Sequence, residues 1–183
     1  MDCEVVRYQT AGDDQSKIAD EIREAWKEAD LILTTGGVSV GEKDLLPGVI
    51  ENLTGNVLFH GIQVKPGMPT MLSVVNGTPV LSLSGNPFAV EALFEVLAGG
   101  YLTDMEASRY LQKNQMKALK QTFVKTGEMK RIVKGRCDES GVYLPQIQKN
   151  GQLKNGIGSN CLVIFPEGER TYAEGEAVRV IRI

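Results

Sequence analysis

Three apolar residues in a row, Leu31-Ile32-Leu33, run straight into Thr34-Thr35-Gly36-Gly37-Val38-Ser39-Val40-Gly41. An apolar run without alternation marks a strand covered on both faces. The paired glycines then let the backbone turn and approach a neighbour closely. Upstream, Ile18, Ile22, Ala25, Trp26 and Ala29 recur at the spacing of one helix face, with Asp13 or Asp14 where an N-cap belongs. Downstream, Leu46, Val49, Ile50 and Leu53 predict a second helix that begins between Asp44 and Pro47. Helix, covered strand, glycine loop and helix in succession predict an α/β layer fold.

The same grammar continues to about residue 100. Cys3 to Tyr8 is β-rich and predicts a short first strand, and Val57 to Val64 predicts another. Lys65-Pro66-Gly67-Met68-Pro69 then forms a rigid loop, since two prolines fix its backbone. Thr70 to Val75 and Pro79 to Leu83 flank Asn76-Gly77, a strong hairpin signal. In Ser84-Gly85-Asn86-Pro87, Asn86 stands as N-cap and Pro87 as first residue of a helix that carries Val90, Leu93, Phe94 and Leu97 as far as Gly99-Gly100. After Gln121 the texture changes. Phe123 to Val133, Val142 to Gln146, Cys161 to Phe165 and Ala177 to Ile183 predict strands, separated by Asn150-Gly151, Asn155-Gly156 and Pro166-Glu167-Gly168. Short strands that close together predict a small sheet or barrel.

Charge marks the same division. The net charge of −3 is the sum of −9 over residues 1–104 and +6 over residues 105–183. A break of that size near Leu102-Thr103-Asp104 predicts a domain boundary, with an α/β domain over 1–104 and a small β-barrel-like domain over 105–183. The basic charges of the second half are scattered and carry no aromatic platform, which argues against a nucleic-acid partner. No apolar stretch approaches the ~20 residues of a membrane helix, and Met1-Asp2-Cys3-Glu4 lacks the pattern of a secretory signal. Cys3, Cys137 and Cys161 are few and far apart, which points to a reducing, cytoplasmic setting. The single histidine, His60, excludes mechanisms that need two; it falls within a predicted strand and reads as structural.

Three loops carry the chemistry. Thr35, Gly36, Gly37, Ser39 and Gly41 offer amides and hydroxyls at a strand's carboxyl end, where open α/β sheets bind ligands. Lys65 is aimed by Pro66 and Pro69, with Gly67 between them, toward a phosphate or oxyanion contact. Ser84, Gly85, Asn86 and Pro87 open a helix whose free amides suit an anion. Asp13 and Asp44 flank these loops and can serve as helix caps. Beside an anion they would repel it, by about 4 kcal/mol per pair at ~4 Å and an effective dielectric of about 20. A divalent cation reverses that sign, and carboxylate plus phosphate oxygens are the usual surroundings of magnesium.

With these residues in view, the chain resembles the MoeA-like molybdopterin molybdotransferases, to which gephyrin is related. The matching pieces are Asp13-Asp14, the stretch from Asp30 through Thr35-Gly36-Gly37-Val38-Ser39-Val40-Gly41 to Asp44, Val64-Lys65-Pro66-Gly67-Met68-Pro69 and Ser84-Gly85-Asn86-Pro87. Gly151-Gln152-Leu153, Ser159-Asn160 and Pro166-Glu167-Gly168 resemble the family's C-terminal β domain. The resemblance implies a three-layer, MogA-like molybdopterin-binding domain that lacks its N-terminal start, followed by the small β domain. It implies magnesium-dependent insertion of molybdate into adenylated molybdopterin with release of AMP.

Carried over by that resemblance, Asp44 and Asp13 act at the metal and phosphate. Thr35, Gly36, Gly37, Ser39 and Gly41 cradle the cofactor phosphate, and Lys65 binds the adenylate phosphate or molybdate. Pro66, Gly67 and Pro69 shape its loop, while Ser84, Gly85, Asn86 and Pro87 form a further wall. Two positions depart from the family: Met68 stands where a second lysine is frequent, and Ser84 where proline is usual. Against the family's length the chain reads as a C-terminal fragment, a split subunit or a truncated product. The expected partners are a second copy of the chain, a polypeptide with the N-terminal linker domains, and a MogA-like adenylyltransferase. Two other readings stay open here: an adenylyltransferase of the same superfold, and a binding or scaffold module without activity of its own.

Overall fold

The computed structural model describes residues 3–39, 41, 44–99, 113–145 and 158–183. In chain order the first half holds α1 (Gln15–Ala25), β1 (Ile32–Thr35), α2 (Leu46–Asn52), β2 (Asn56–His60), β3 (Val64–Lys65), β4 (Met71–Val75), β5 (Thr78–Leu83) and α3 (Pro87–Leu93), which passes into a π-helical turn, Phe94–Ala98. The second half is β6 (Asn114–Ala118), β7 (Phe123–Lys125), β8 (Lys130–Cys137), β9 (Val142–Tyr143), β10 (Cys161–Phe165), β11 (Arg170–Tyr172) and β12 (Ala177–Arg182). Packing gathers these into two compact units, one of residues 1–62 and 67–90, the other of residues 63–66 and 91–183. The composition break at Leu102-Thr103-Asp104 lies outside the described residues.

The first unit is α/β, as its sequence predicts. Its sheet has the order β1-β5-β4-β2, with β1 and β5 parallel and the other pairs antiparallel. The carboxyl ends of β1, β5 and β2 therefore share one edge with the start of β4. Ile32, Met71, Val75 and Val80 turn one face of the sheet to Ala19 and Ile22 of α1 and to Leu46, Val49 and Ile50 of α2. Asn76 and Gly77 both have positive φ, 49° and 85°, which is the two-residue hairpin turn that matches strand twist. Thr34, Ser73, Ser82 and Ser84 have buried hydroxyls with no hydrogen-bond partner among the described residues.

The second unit is mostly β. Its larger sheet runs β3-β8-β10-β12-β6, with β9 on β8, and β11 pairs with β7. At its core Phe123 stacks on Phe165, with centroids 4.5 Å apart, and Tyr172 meets Phe165 edge-on at 4.8 Å. Lys125 is buried, and its ammonium donates to the carbonyls of Gly127 and Gly168, each at 2.6 Å. Two turns are thereby tied to one charge, and both acceptors are satisfied.

Several expected elements are corrected. Cys3 to Tyr8 is not a strand: among the described residues no strand pairs with it, and Arg7 instead ties the segment to Glu21 and Glu28. The strand expected over Val57 to Val64 ends at His60, because Gly61 turns away at φ 97°, and Val64–Lys65 joins β8 of the second unit. The strand expected over Phe123 to Val133 is two, broken at Thr126 to Met129. Of the strand expected over Val142 to Gln146, Val142–Tyr143 is strand, and Gln146 lies outside the described residues. The turns Asn150-Gly151 and Asn155-Gly156, with Gly151-Gln152-Leu153, also lie outside them. β6 and β11 are strands that the sequence does not predict; both are short and mostly polar, so neither shows an apolar run.

Candidate functional site

The glycine loop leaves β1 at the sheet's shared edge. Gly36 and Gly37 have φ of 84° and 65°, a conformation that costs glycine nothing and other residues about 1 kcal/mol or more. The Gly36 amide donates to the Leu83 carbonyl at 2.9 Å and so stitches this loop to the end of β5. The Leu46 amide donates to the Gly37 carbonyl at 3.0 Å and ties the loop's other side to α2. The amides of Gly37 and Ser39 donate to no group among the described residues. A turn whose Gly37 and Ser39 amides have no acceptor among the described residues is the kind of concavity that takes an anion.

The second loop follows β5, the parallel neighbour. Asn86 accepts from the amides of Phe88 and Ala89, at 3.0 and 3.2 Å, and caps α3 with Pro87 at its first position. A side chain on Gly85 would meet the Gly36 Cα at 3.5 Å, so the two loops lie in van der Waals reach. Parallel pairing of β1 and β5 thus brings Thr35, Gly36 and Gly37 beside Gly85 and Asn86. Ser84 turns a buried hydroxyl away from solvent. A third loop enters β4 at the same edge. Thr70, fully buried, donates its hydroxyl to the Gly67 carbonyl at 2.7 Å and holds Gly67, Met68 and Pro69 against the strand start.

Asp13 and Asp44 are freed from the cap role. Asp14 is the N-cap of α1, accepting from the amides of Ser16 and Lys17; the Ser16 hydroxyl, then those amides, hold its carboxyl below the usual carboxylate range. Leu45 precedes α2, and no side chain caps that helix. Asp44 instead accepts the Gly41 amide at 2.9 Å, while the Asp44 amide donates to the Gly41 carbonyl. A side chain on Gly41 would press on the Asp44 carboxylate at 2.8 Å, so only glycine fits that reciprocal turn unshifted. Gln15 of α1 approaches Gly48 of α2, which sets the starts of the two helices side by side. Asp13 and Asp44 precede those two starts.

Lys65 is exposed and pairs with Arg131 in the second unit's sheet, and the Lys65–Pro66 bond is cis. Lys65 and Pro66 therefore group with the β unit, whereas Gly67 and Pro69 group with the α/β unit. Two contributors lie outside the motifs of the three loops. The Thr70 hydroxyl holds the third loop, and His60, on β2, reaches the glycine loop through the Val38 carbonyl. The Val38 contact spans 22 residues of chain, and no local pattern announces it.

The model of a probable molybdopterin binding domain matches residues 1–104. The chain belongs to that molybdopterin-binding family. It is 30% identical to a molybdopterin molybdenumtransferase of Staphylococcus aureus and 27% identical to one of Staphylococcus epidermidis, over 97% of its own length. It spans 44% of the length of each of those relatives. Among solved structures it is similar to a molybdopterin biosynthesis MoeA protein of Pyrococcus horikoshii, with a TM-score of 0.75 and 27% identity over 93% of this chain and 41% of that one. A molybdenum cofactor biosynthesis protein of Pyrococcus furiosus has the same fold, with a TM-score of 0.69. The MoeA likeness runs through both units, and it accounts for the β domain that follows the pterin-binding family's α/β sheet.

Proposed function

We propose that this chain supplies the pterin-binding site of a molybdopterin molybdenumtransferase and takes part in inserting molybdate into adenylated molybdopterin with release of AMP. The observation that carries the reading is the meeting of two loops, at Gly36 and Gly85, at the carboxyl edge of the parallel pair β1 and β5. The open amides of Gly37 and Ser39, with the Thr35 and Ser39 hydroxyls, would bind the ligand's phosphate. Gly85, Asn86 and Pro87 would wall the ligand, and Gly41 would hold Asp44 in place. The site's work is electrostatic, since fixed donors favour the charge that gathers on the departing phosphate.

Magnesium fits the residues present. The Asp44 carboxylate uses one oxygen on the Gly41 amide, and Asp13 is exposed without a partner among the described residues. Two hard oxygen donors beside a phosphate suit this ion, which keeps several waters. Bound there, it would neutralise phosphate charge. No group of three acidic, histidine or cysteine side chains suited to a metal occurs among the described residues, so the ligand's own oxygens would complete the shell.

Partners belong to the same proposal: a second copy of the chain, a polypeptide that contributes linker domains, or a MogA-like adenylyltransferase that delivers the adenylated pterin. The assay is molybdate-dependent release of AMP from adenylated molybdopterin in the presence of magnesium. The proposal expects pterin binding and AMP release. Binding without release would leave a binding module, and adenylate formation from ATP without molybdate would assign the adenylyltransferase reaction.

A further inference from the structure

We infer that His60 is a positioning residue for the glycine loop, its imidazole holding the Val38 carbonyl so that the Gly37 and Ser39 amides are fixed for the ligand. The inference rests on the proposed reading of that loop as a phosphate cradle. The His60 Nε2 lies 2.7 Å from the Val38 oxygen. A carbonyl only accepts, so Nε2 carries a proton and donates it. The Val38 side chain is buried in the core beneath the loop. Val38 is therefore held twice, by its side chain from within and by its carbonyl from β2. The two left-handed glycines before it are the freest residues in the loop. An anchor just past them removes conformers that the ligand would otherwise have to order.

The strand is shaped to deliver the ring. Val57 pairs with Ser73, but Phe59 pairs with Leu72 and His60 with Met71, so Leu58 is an extra residue, a β-bulge. In an unbulged strand Val57 and Phe59 would share a face, and His60 would point to the other. The bulge shifts the phase and puts His60 on the face of Met71, where Val38 and α2 pack. The ring itself is exposed and fills no core space, so the hydrogen bond is its structural task.

Three variants test the inference: His60→Gln, whose amide nitrogen can reach the Nε2 position, and His60→Asn and His60→Ala, which cannot. Exchange of the Gly36 amide, which donates to Leu83, and of the Leu46 amide, which donates to the Gly37 carbonyl, should quicken about tenfold in the Asn and Ala chains, the scale of one lost hydrogen bond. It should return close to wild type in His60→Gln. Affinity for isolated molybdopterin should follow the same order, with melting temperature unchanged. Equal exchange in all four chains, or a Gln variant that behaves like Ala, overturns the inference. Faster exchange with undiminished affinity overturns the claim that the anchor serves the ligand. If the wild-type chain itself does not bind the pterin, the reading of the loop fails, and the exchange data alone decide whether His60 sets it.

Discussion

Asp44 does two things with one carboxylate. It closes a turn by accepting the Gly41 amide, and it presents negative charge beside the loop proposed to hold a phosphate. Two substitutions separate these tasks. Asp44→Asn keeps an acceptor for the Gly41 amide and removes the charge; Asp44→Ala removes both. If the charge holds magnesium, both variants should lose molybdate-dependent AMP release by about two orders of magnitude. Only the Ala chain should also exchange the Gly41 amide faster. At this scale the sequence was informative about residue type and silent about partner. It named Asp13 and Asp44 as either caps or ligands, and left Asp13 and Asp14 as equal candidates for one cap. The choice depends on which carboxylate meets the Ser16 and Lys17 amides, and one residue of chain geometry decides that.

The secondary-structure elements were legible where their cause is local. The stripe of α1, the Asn76-Gly77 hairpin and the Asn86-Pro87 helix start each follow from side chains within a few residues, whereas the run expected to be covered on both faces is covered on one, with Leu33 of β1 exposed. Cys3 to Tyr8 failed because a strand needs a neighbour, and β propensity cannot supply one. The break between β7 and β8 and the turn after His60 leave no mark in the apolar pattern, which does not report where a chain changes sheets. The cap of α1 gives this scale its prediction. Asp14 titrates below the usual carboxylate range when folded, chiefly through the Ser16 hydroxyl, so its contribution is present above the ordinary value and is lost as pH falls through the folded one. Asp14→Ala should therefore melt lower at neutral pH. It should also lose less stability than wild type between about pH 5 and about pH 3, measured by thermal denaturation.

For the whole molecule, the two units meet different demands. In the second, Cys137 and Cys161 are both buried; burial, then the neighbouring Cys137, pushes the Cys161 thiol up to about 12. That pair is packing material at neutral pH, and Cys3 is the exposed thiol. In the first unit, β1 has a strand neighbour on one side among the described residues, and Leu33, Val5, Val6 and Tyr8 are exposed. An open strand edge beside exposed apolar residues favours association. The expected outcome in light scattering at micromolar concentration is a mass of two chains or more. A monomer would count against the proposed self-association. Among the described residues no helix is long and apolar enough to cross a membrane.

The sequence by itself determined the α/β class, the three candidate loops and the family, because these depend on residue types at fixed short spacing. The tertiary structure alone decided which loops meet. Parallel pairing of β1 with β5 puts Gly36 beside Gly85, and a bulge at Leu58 turns His60 toward Val38. Strand order and register join residues tens of positions apart, and local periodicity holds no record of them.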